Sequence, residues 1–173
     1  MHIVDTQISR DLSSIHELLN EVILTSTALY DYHPRPLEQV RQWMIDKLEA
    51  GLPLRVAIDD HETLLGFTTF GAFRPHPAYK YTVEHSIYVH AHARGRGVGD
   101  KLLADIIECA TYHDKHLMIG AIDADNAASI ALHTKHGFTS AGTIEQAGFK
   151  FGRWLDLTLL RKRLPTPMEP RDG

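Results

Sequence analysis

The sequence predicts an α+β (mixed α/β) layered fold rather than a doubly wound one. Three observations point there. Hydrophobic periodicity changes along the chain in the order strand, two helices, three strands, helix, strand, helix, two strands. The length of 173 residues, with 43% hydrophobic and 23% charged residues, suffices for one domain with a proper core. The run Ser86-Ile-Tyr-Val-His-Ala-His-Ala-Arg-Gly-Arg-Gly-Val-Gly-Asp100 reads as a β-branched and aromatic strand, a glycine-rich turn and the start of a helix.

The elements follow in order. His2 to Asp5 is a short strand. Asp11 begins a helix with Leu12, Ile15, Leu18, Leu19 and Val22 on one face. Pro36 suits the first turn of a second helix through Val40, Trp43, Met44 and Leu48. Leu52 to Ile58 and Leu64 to Phe73 form a hairpin about the turn Asp59-Asp60-His61-Glu62, and Pro75 and Pro77 break the second strand. Thr82 to His90 is the next strand, followed by the glycine turn. The helix Val98 to His113 carries Val98, Leu102, Leu103, Ile106, Ile107 and Ala110 on its apolar face. Leu117 to Ile122 is continuously apolar, as a strand buried on both faces would be. Asn126 opens a short helix that Gly137 ends. Phe138 to Ile144 and Lys150 to Leu160 complete an antiparallel pair. Residues 1–163 form a single domain, and 164–173, with three prolines and few apolar residues, are expected to be a flexible tail.

The glycine turn carries the strongest chemical signal. Gly95, Gly97 and Gly99 permit positive φ and close approach of a ligand to the backbone. The first N–H groups of the following helix lack intrahelical acceptors and, with the helix dipole, favour an anion. Arg94 and Arg96 add positive charge. A phosphate-bearing cofactor is the expected ligand. A Walker loop is excluded, because Gly99 is followed by Asp100, Lys101 and Leu102 with no hydroxyl for Mg²⁺. A dinucleotide fingerprint starting at Gly95 would place Asp100 at its sixth position, where it repels a pyrophosphate. What remains is Arg94-x-x-Gly97-x-Gly99.

Bulk properties narrow the function further. A formal net charge of -4 leaves no basic footprint for nucleic acid. A single cysteine forms no internal disulfide framework and fits a reducing compartment, and no basic-then-apolar leader or membrane-length apolar run is present. The expected setting is cytoplasmic, with no nucleic acid and no membrane as partner.

The Arg94-x-x-Gly97-x-Gly99 turn after the fourth strand resembles the pyrophosphate loop of the GNAT superfamily of acyl-CoA N-acetyltransferases. More specifically, Thr82-Val-Glu-His-Ser-Ile-Tyr-Val89, Asp123-Ala-Asp-Asn-Ala-Ala-Ser-Ile130, His133-Thr-Lys-His-Gly-Phe138 and Gly148-Phe-Lys-Phe-Gly-Arg-Trp-Leu-Asp156 resemble the branch acting on phosphinothricin, methionine sulfoximine and methionine sulfone. The resemblance covers about His2 to Leu160. It implies a central, mostly antiparallel sheet with splayed strands and flanking helices, acetyl-CoA as co-substrate, no metal, and a homodimer. It also implies direct acetyl transfer to the α-amino group of a small amino acid. Ile87, Tyr88 and Val89 would pair by backbone with the pantetheine arm. Arg94, Gly95, Arg96, Gly97, Val98, Gly99 and Asp100 would hold the pyrophosphate. Asn126 would touch the arm as well as cap its helix.

Glu84 is the candidate base. A carboxylate among β-branched and aromatic strand residues is locally out of place, although a solvent-facing strand position would also accommodate it. His85 or Ser86 beside it is expected to contact substrate. Many superfamily members place a Tyr seven residues after the Asn; here His133 stands there, so the general acid is open. Arg74, with Pro75 and His76, is expected to grip an anionic or polar end of the substrate, the plain alternative being a solvated loop. Lys150, with Phe151, Arg153 and Trp154, is expected near the substrate end or an oligomer contact. Strand alternation would put Phe151 opposite Lys150 and Trp154. The pairs His113-x-x-His116 and His133-x-x-His136 lack a carboxylate to complete a metal set, and Cys109 reads as a packing residue rather than a nucleophile. The alternative functions are acetylation of another small amine or of a protein N-terminus, or a non-catalytic acyl-CoA sensor.

Overall fold

The computed structural model describes residues 1–172. Seven strands and four helices appear in the order β1 (His2–Asp5), α1 (Ile8–Thr25), α2 (Leu37–Glu49), β2 (Leu54–Ile58), β3 (Leu64–Ala72), β4 (Thr82–Val89), α3 (Val98–Tyr112), β5 (Leu117–Asp123), α4 (Ala127–Lys135), β6 (Thr139–Lys150) and β7 (Arg153–Arg163). The strand order is β1-β2-β3-β4-β5-β7-β6. Two single turns of 3₁₀ helix, Pro77–Tyr79 and Ala91–Ala93, stand where the sequence shows only breakers and glycine-loop approach. Met1–Thr69 with Ile87–Asp105 form one compact unit, and Phe70–Ser86 with the chain from Ile106 onward form a second.

In the first unit the apolar faces of α1 and α2 cover β1 to β3. Leu12, Ile15, Leu18, Leu19, Val22, Val40 and Met44 pack against Leu54, Val56, Ile58, Leu64 and Phe67. The opposite side carries a second cluster in which Ala57 and Leu65 meet Ala93, Val98 and Leu102 at the start of α3. Strand β3 is buried without alternation from Leu64 to Phe70, Thr68 and Thr69 included. Helix α1 begins at Ile8, one turn before the expected Asp11. Asp11 caps from inside the helix: its carboxylate accepts the Gln7 N–H at 2.8 Å and is held by the Arg10 guanidinium. Pro36 occupies the N-cap of α2.

In the second unit β5 pairs antiparallel with β7 from Leu117↔Arg163 to Asp123↔Leu157, and β7 pairs with β6. Strand β4 pairs with β5 in parallel at Thr82↔Leu117, Val83↔Met118 and Glu84↔Ile119, and this register ends at Glu84. The hairpin β6–β7 differs from expectation. Strand β6 continues through Lys150, and the reversal lies at Phe151 (φ 52°) and Gly152 (φ 75°). Register shifts after Ser140 and Ile144 absorb the glycines and the polar stretch that had looked like a gap, and Gln146 adopts φ 52° with its N–H bonded to Asp156 at 2.8 Å. The alternation expected across Lys150, Phe151 and Trp154 therefore does not apply.

The tail expected to be flexible is fastened at several points. Leu164 is buried and its N–H bonds the His116 carbonyl, Thr166 Oγ1 donates to Lys115 O at 2.7 Å, and Arg171 N–H donates to Tyr81 Oη at 3.1 Å. An apolar anchor at its first residue and side-chain partners along it outweigh its proline-rich composition.

Candidate active site

The glycine turn lies in the first unit. Gly95 and Gly97 have φ of 71° and 78°, conformations an L side chain adopts only at a cost, and a Cβ on either would meet nothing within 4 Å. The turn is therefore open on its outer side. Val98 is buried and anchors the helix start, while Arg94 and Arg96 are exposed. Arg94 Nε donates to the carbonyl of Val89 at 3.3 Å, tying the turn back to the strand end. Asp100 sits half-buried in the first turn of α3. The backbone of β4 around Tyr88 and Val89 is pressed closely by β3. A Cβ on Gly66 would lie 2.5 Å from the Tyr88 carbonyl oxygen and 3.1 Å from Val89 Cα. Gly66 is a positioning glycine that carried no sequence signal of its own. The donor set, helix N–H groups with two guanidiniums around an open glycine turn, fits a diphosphate.

The second unit gathers most of the other residues. Glu84 is half-buried at the end of the β4–β5 register. Burial raises its carboxyl above the usual carboxylate range, and the charge of Arg74 pulls it part of the way back. Arg74 is exposed, donates to the Phe73 carbonyl and lies with its guanidinium 4.5 Å over the Phe73 ring. Pro75 and His76 are exposed beside it. Ser86 shares the Glu84 side of the strand by two-residue alternation.

His85 points the other way, so of the two candidates beside Glu84 it is Ser86 that lies on the carboxylate's side. It is buried, with its ring 5.0 Å from that of His133 and 5.6 Å from Phe138. Nε2 of His85 lies 3.2 Å from Nε2 of His133, and His133 Nδ1 lies 2.7 Å from the Ser129 carbonyl. Gly120 makes the room: a Cβ there would lie 3.2 Å from both His85 Nε2 and His133 Cδ2. Burial, reinforced by His133, lowers His85 to about 3. Burial lowers His133 as well, with Ser129 opposing and His136 adding to the effect. Both rings are neutral at physiological pH. A carbonyl only accepts, so His133 carries its proton on Nδ1, and a neutral His133 has no second N–H for a departing thiolate. This arrangement speaks against His133 as general acid.

Asn126 caps α4, its Oδ1 accepting the Ser129 N–H at 3.0 Å, and its exposed side chain retains two amide N–H donors. The loop before it is braced by Arg153, whose guanidinium reaches Asp125 at 2.9 Å and Asp123 at 3.5 Å. Lys150 was expected near the substrate end or an oligomer contact. It is instead buried at the close of β6, its ammonium 5.0 Å from the Phe151 ring, because the hairpin turn lies beyond it rather than before it. Of the tempting histidine pairs, His113 packs edge-on to Phe70 and His116 bonds the Thr166 carbonyl. Among the described residues no three His, Cys, Asp or Glu gather as a metal site, and no helix is long and apolar enough to cross a membrane.

A layered sheet with helices, an open glycine turn after β4 and a half-buried carboxylate on β4 are features of an acyl-CoA-type transferase. The acetyltransferase (GNAT) family profile matches residues 14–138, and the chain belongs to that family. It is 40% identical over 161 residues to an L-methionine sulfoximine/L-methionine sulfone acetyltransferase of Pseudomonas aeruginosa, covering 92% of this chain and 94% of that one. It is 37% identical to a phosphinothricin N-acetyltransferase of Alcaligenes faecalis, over 89% of this chain and 78% of that one. The crystal structure of a phosphinothricin acetyltransferase from Sinorhizobium meliloti in complex with acetyl-CoA superposes with a TM-score of 0.94 at 33% identity, covering 99% of this chain and 94% of that one. The chain is thus a GNAT N-acetyltransferase.

Proposed function

We propose that this enzyme acetylates the α-amino group of a small amino acid whose side chain ends in tetrahedral oxygens, of the methionine sulfone, methionine sulfoximine or phosphinothricin type. The observation that carries the reading is Glu84, a half-buried carboxylate whose affinity for protons is raised by burial and moderated by the charge of Arg74. The names of the similar proteins support the substrate class.

Acetyl-CoA supplies the acetyl group as a thioester. Gly95, Gly97, Gly99 and the first N–H groups of α3 hold its diphosphate, with Arg94, Arg96, Val98 and Asp100 shaping the turn. The backbone of Ile87, Tyr88 and Val89 pairs with the amides of the pantetheine arm, and Asn126 donates to it. Arg74, supported by Pro75 and His76, binds an anionic or oxygen-bearing end of the substrate, and Ser86 offers a hydroxyl beside Glu84. Glu84 takes the proton lost by the ammonium, through water, so that the neutral amine attacks the thioester carbon. The C–N bond forms, the C–S bond breaks, the nitrogen gives up its second proton to water, and the departing thiolate takes one proton from water, leaving the N-acetyl product and the CoA thiol.

The enzyme acts in the cytoplasm as a homodimer. Ile144, Phe149, Phe151 and Trp154, all exposed on the β6–β7 hairpin, support association, and light scattering measures it. The function itself is tested by a CoA-release screen over amino acids with their sulfone, sulfoximine and phosphinyl analogues. Release confined to peptide amines, or none, rejects the substrate assignment.

A further inference from the structure

The reaction as described leaves His85 unused, although its imidazole is buried and hydrogen-bonded. Its bonding partners can be worked out from donor chemistry alone. His133 Nδ1 faces the Ser129 carbonyl at 2.7 Å and therefore carries a proton. Neutral His133 then has a bare Nε2. That nitrogen lies 3.2 Å from His85 Nε2, so His85 Nε2 carries the proton between them and donates it. Neutral His85 is left with a bare Nδ1, buried, without a hydrogen-bond partner among the described residues. A buried acceptor left unpaired is unfavourable. An apolar ring of similar size would avoid it, so what the imidazole contributes at this position is its Nε2–H.

We propose that His85 is a positioning residue for acetyl transfer: its Nε2–H holds His133 as the Nδ1–H tautomer and thereby seats α4, with Asn126 at its start, against β4 and β5. This rests on the acetyl-transfer reading above. The path is short and contiguous. His85 lies next to Glu84 on β4, where the register with β5 ends. Gly120 on β5 leaves space for both rings, and Phe138 covers them at 5.6 and 5.1 Å. His133 passes the constraint to the Ser129 carbonyl, and Ser129 N–H is the group that Asn126 caps. Protonating His133 on its bare Nε2 would set that N–H against the one His85 donates, so the bond also keeps His133 neutral. The other titratable group bearing on His133 is His136, which acts in the same direction.

The test uses the full-length protein. Imidazole ¹⁵N NMR of the ligand-free wild type at neutral pH should show His133 protonated on Nδ1 and His85 on Nε2. His85→Gln keeps an amide N–H near Nε2 and should leave the KM for acetyl-CoA within about threefold of wild type. His85→Phe should raise that KM about tenfold, the value of one hydrogen bond, with a smaller change in kcat at saturating acetyl-CoA. It should also release His133 into a titrating mixture of tautomers. Wild-type His133 protonated on Nε2 would overturn the proposal, as would equal KM effects of Gln and Phe, or none from Phe. The wild-type spectrum and His85→Gln decide the matter even if His85→Phe does not fold. Correct tautomers in a protein that releases no CoA with any amine would overturn the role through the reading it rests on.

Discussion

Gly120 and His85 stand in a lock-and-space relation: where the β4–β5 register ends, the missing side chain of Gly120 is the room in which His85 Nε2 meets His133. Gly120→Ala should therefore destabilise the protein by about 1–3 kcal/mol, the usual cost of overpacking. Urea unfolding measures it. In a His133→Ala background the added methyl has somewhere to go, and the cost should fall by at least half. Equal costs in both backgrounds would place the strain elsewhere.

Glu84→Gln keeps the shape of the side chain and removes the proton acceptor. Turnover should drop by about 10²–10⁴ while acetyl-CoA binding survives. Raising the pH should restore part of the rate, because more of the amine is then already neutral. The wild-type rate should climb as pH passes the raised Glu84 value. Near-normal turnover of the variant at neutral pH would show that solvent takes the proton.

The same group has a stability consequence of opposite sign. The folded carboxyl binds protons more tightly than the unfolded one, so the native state holds more protons in the window between the two values, and stability falls as pH rises through it. At neutral pH wild-type Glu84 is a half-buried charge at a net cost. Glu84→Gln should melt at or above the wild-type temperature there, with the difference closing toward acid pH. A variant that is markedly less stable at pH 7 contradicts this.

Replacing Gly97 by Val forces a β-branched residue to φ 78° and puts a branch on the open face of the turn. Acetyl-CoA should raise the melting temperature of the wild type and leave this variant unmoved. The same rise in both proteins would remove the turn from the cofactor site.

Arg74 is exposed yet close enough to bias Glu84. Methionine sulfone, whose oxygens accept hydrogen bonds, should be acetylated with far higher kcat/KM than methionine, which would leave donors unpaired. Arg74→Ala should raise the KM for the sulfone more than that for acetyl-CoA. Indifference between sulfone and thioether contradicts the assignment.

The sequence by itself determined what short-range chemistry decides. Positive φ at Gly95 and Gly97, the Asn126 cap, the apolar faces of the helices and the odd carboxylate at Glu84 are properties of a few neighbouring residues. The tertiary structure decided whatever depends on partners far along the chain. Either His85 or Ser86 could face the substrate by sequence, and only the contact with His133, 48 residues away, shows that the His85 ring lies in the interior. Lys150 changed place because the hairpin bulges at residues 140–148 shift the reversal to Phe151 and Gly152. The tail gained order from Leu164 and its bond to His116. A hydrogen bond or a packing space needs both of its sides, and periodicity along the chain reports only one.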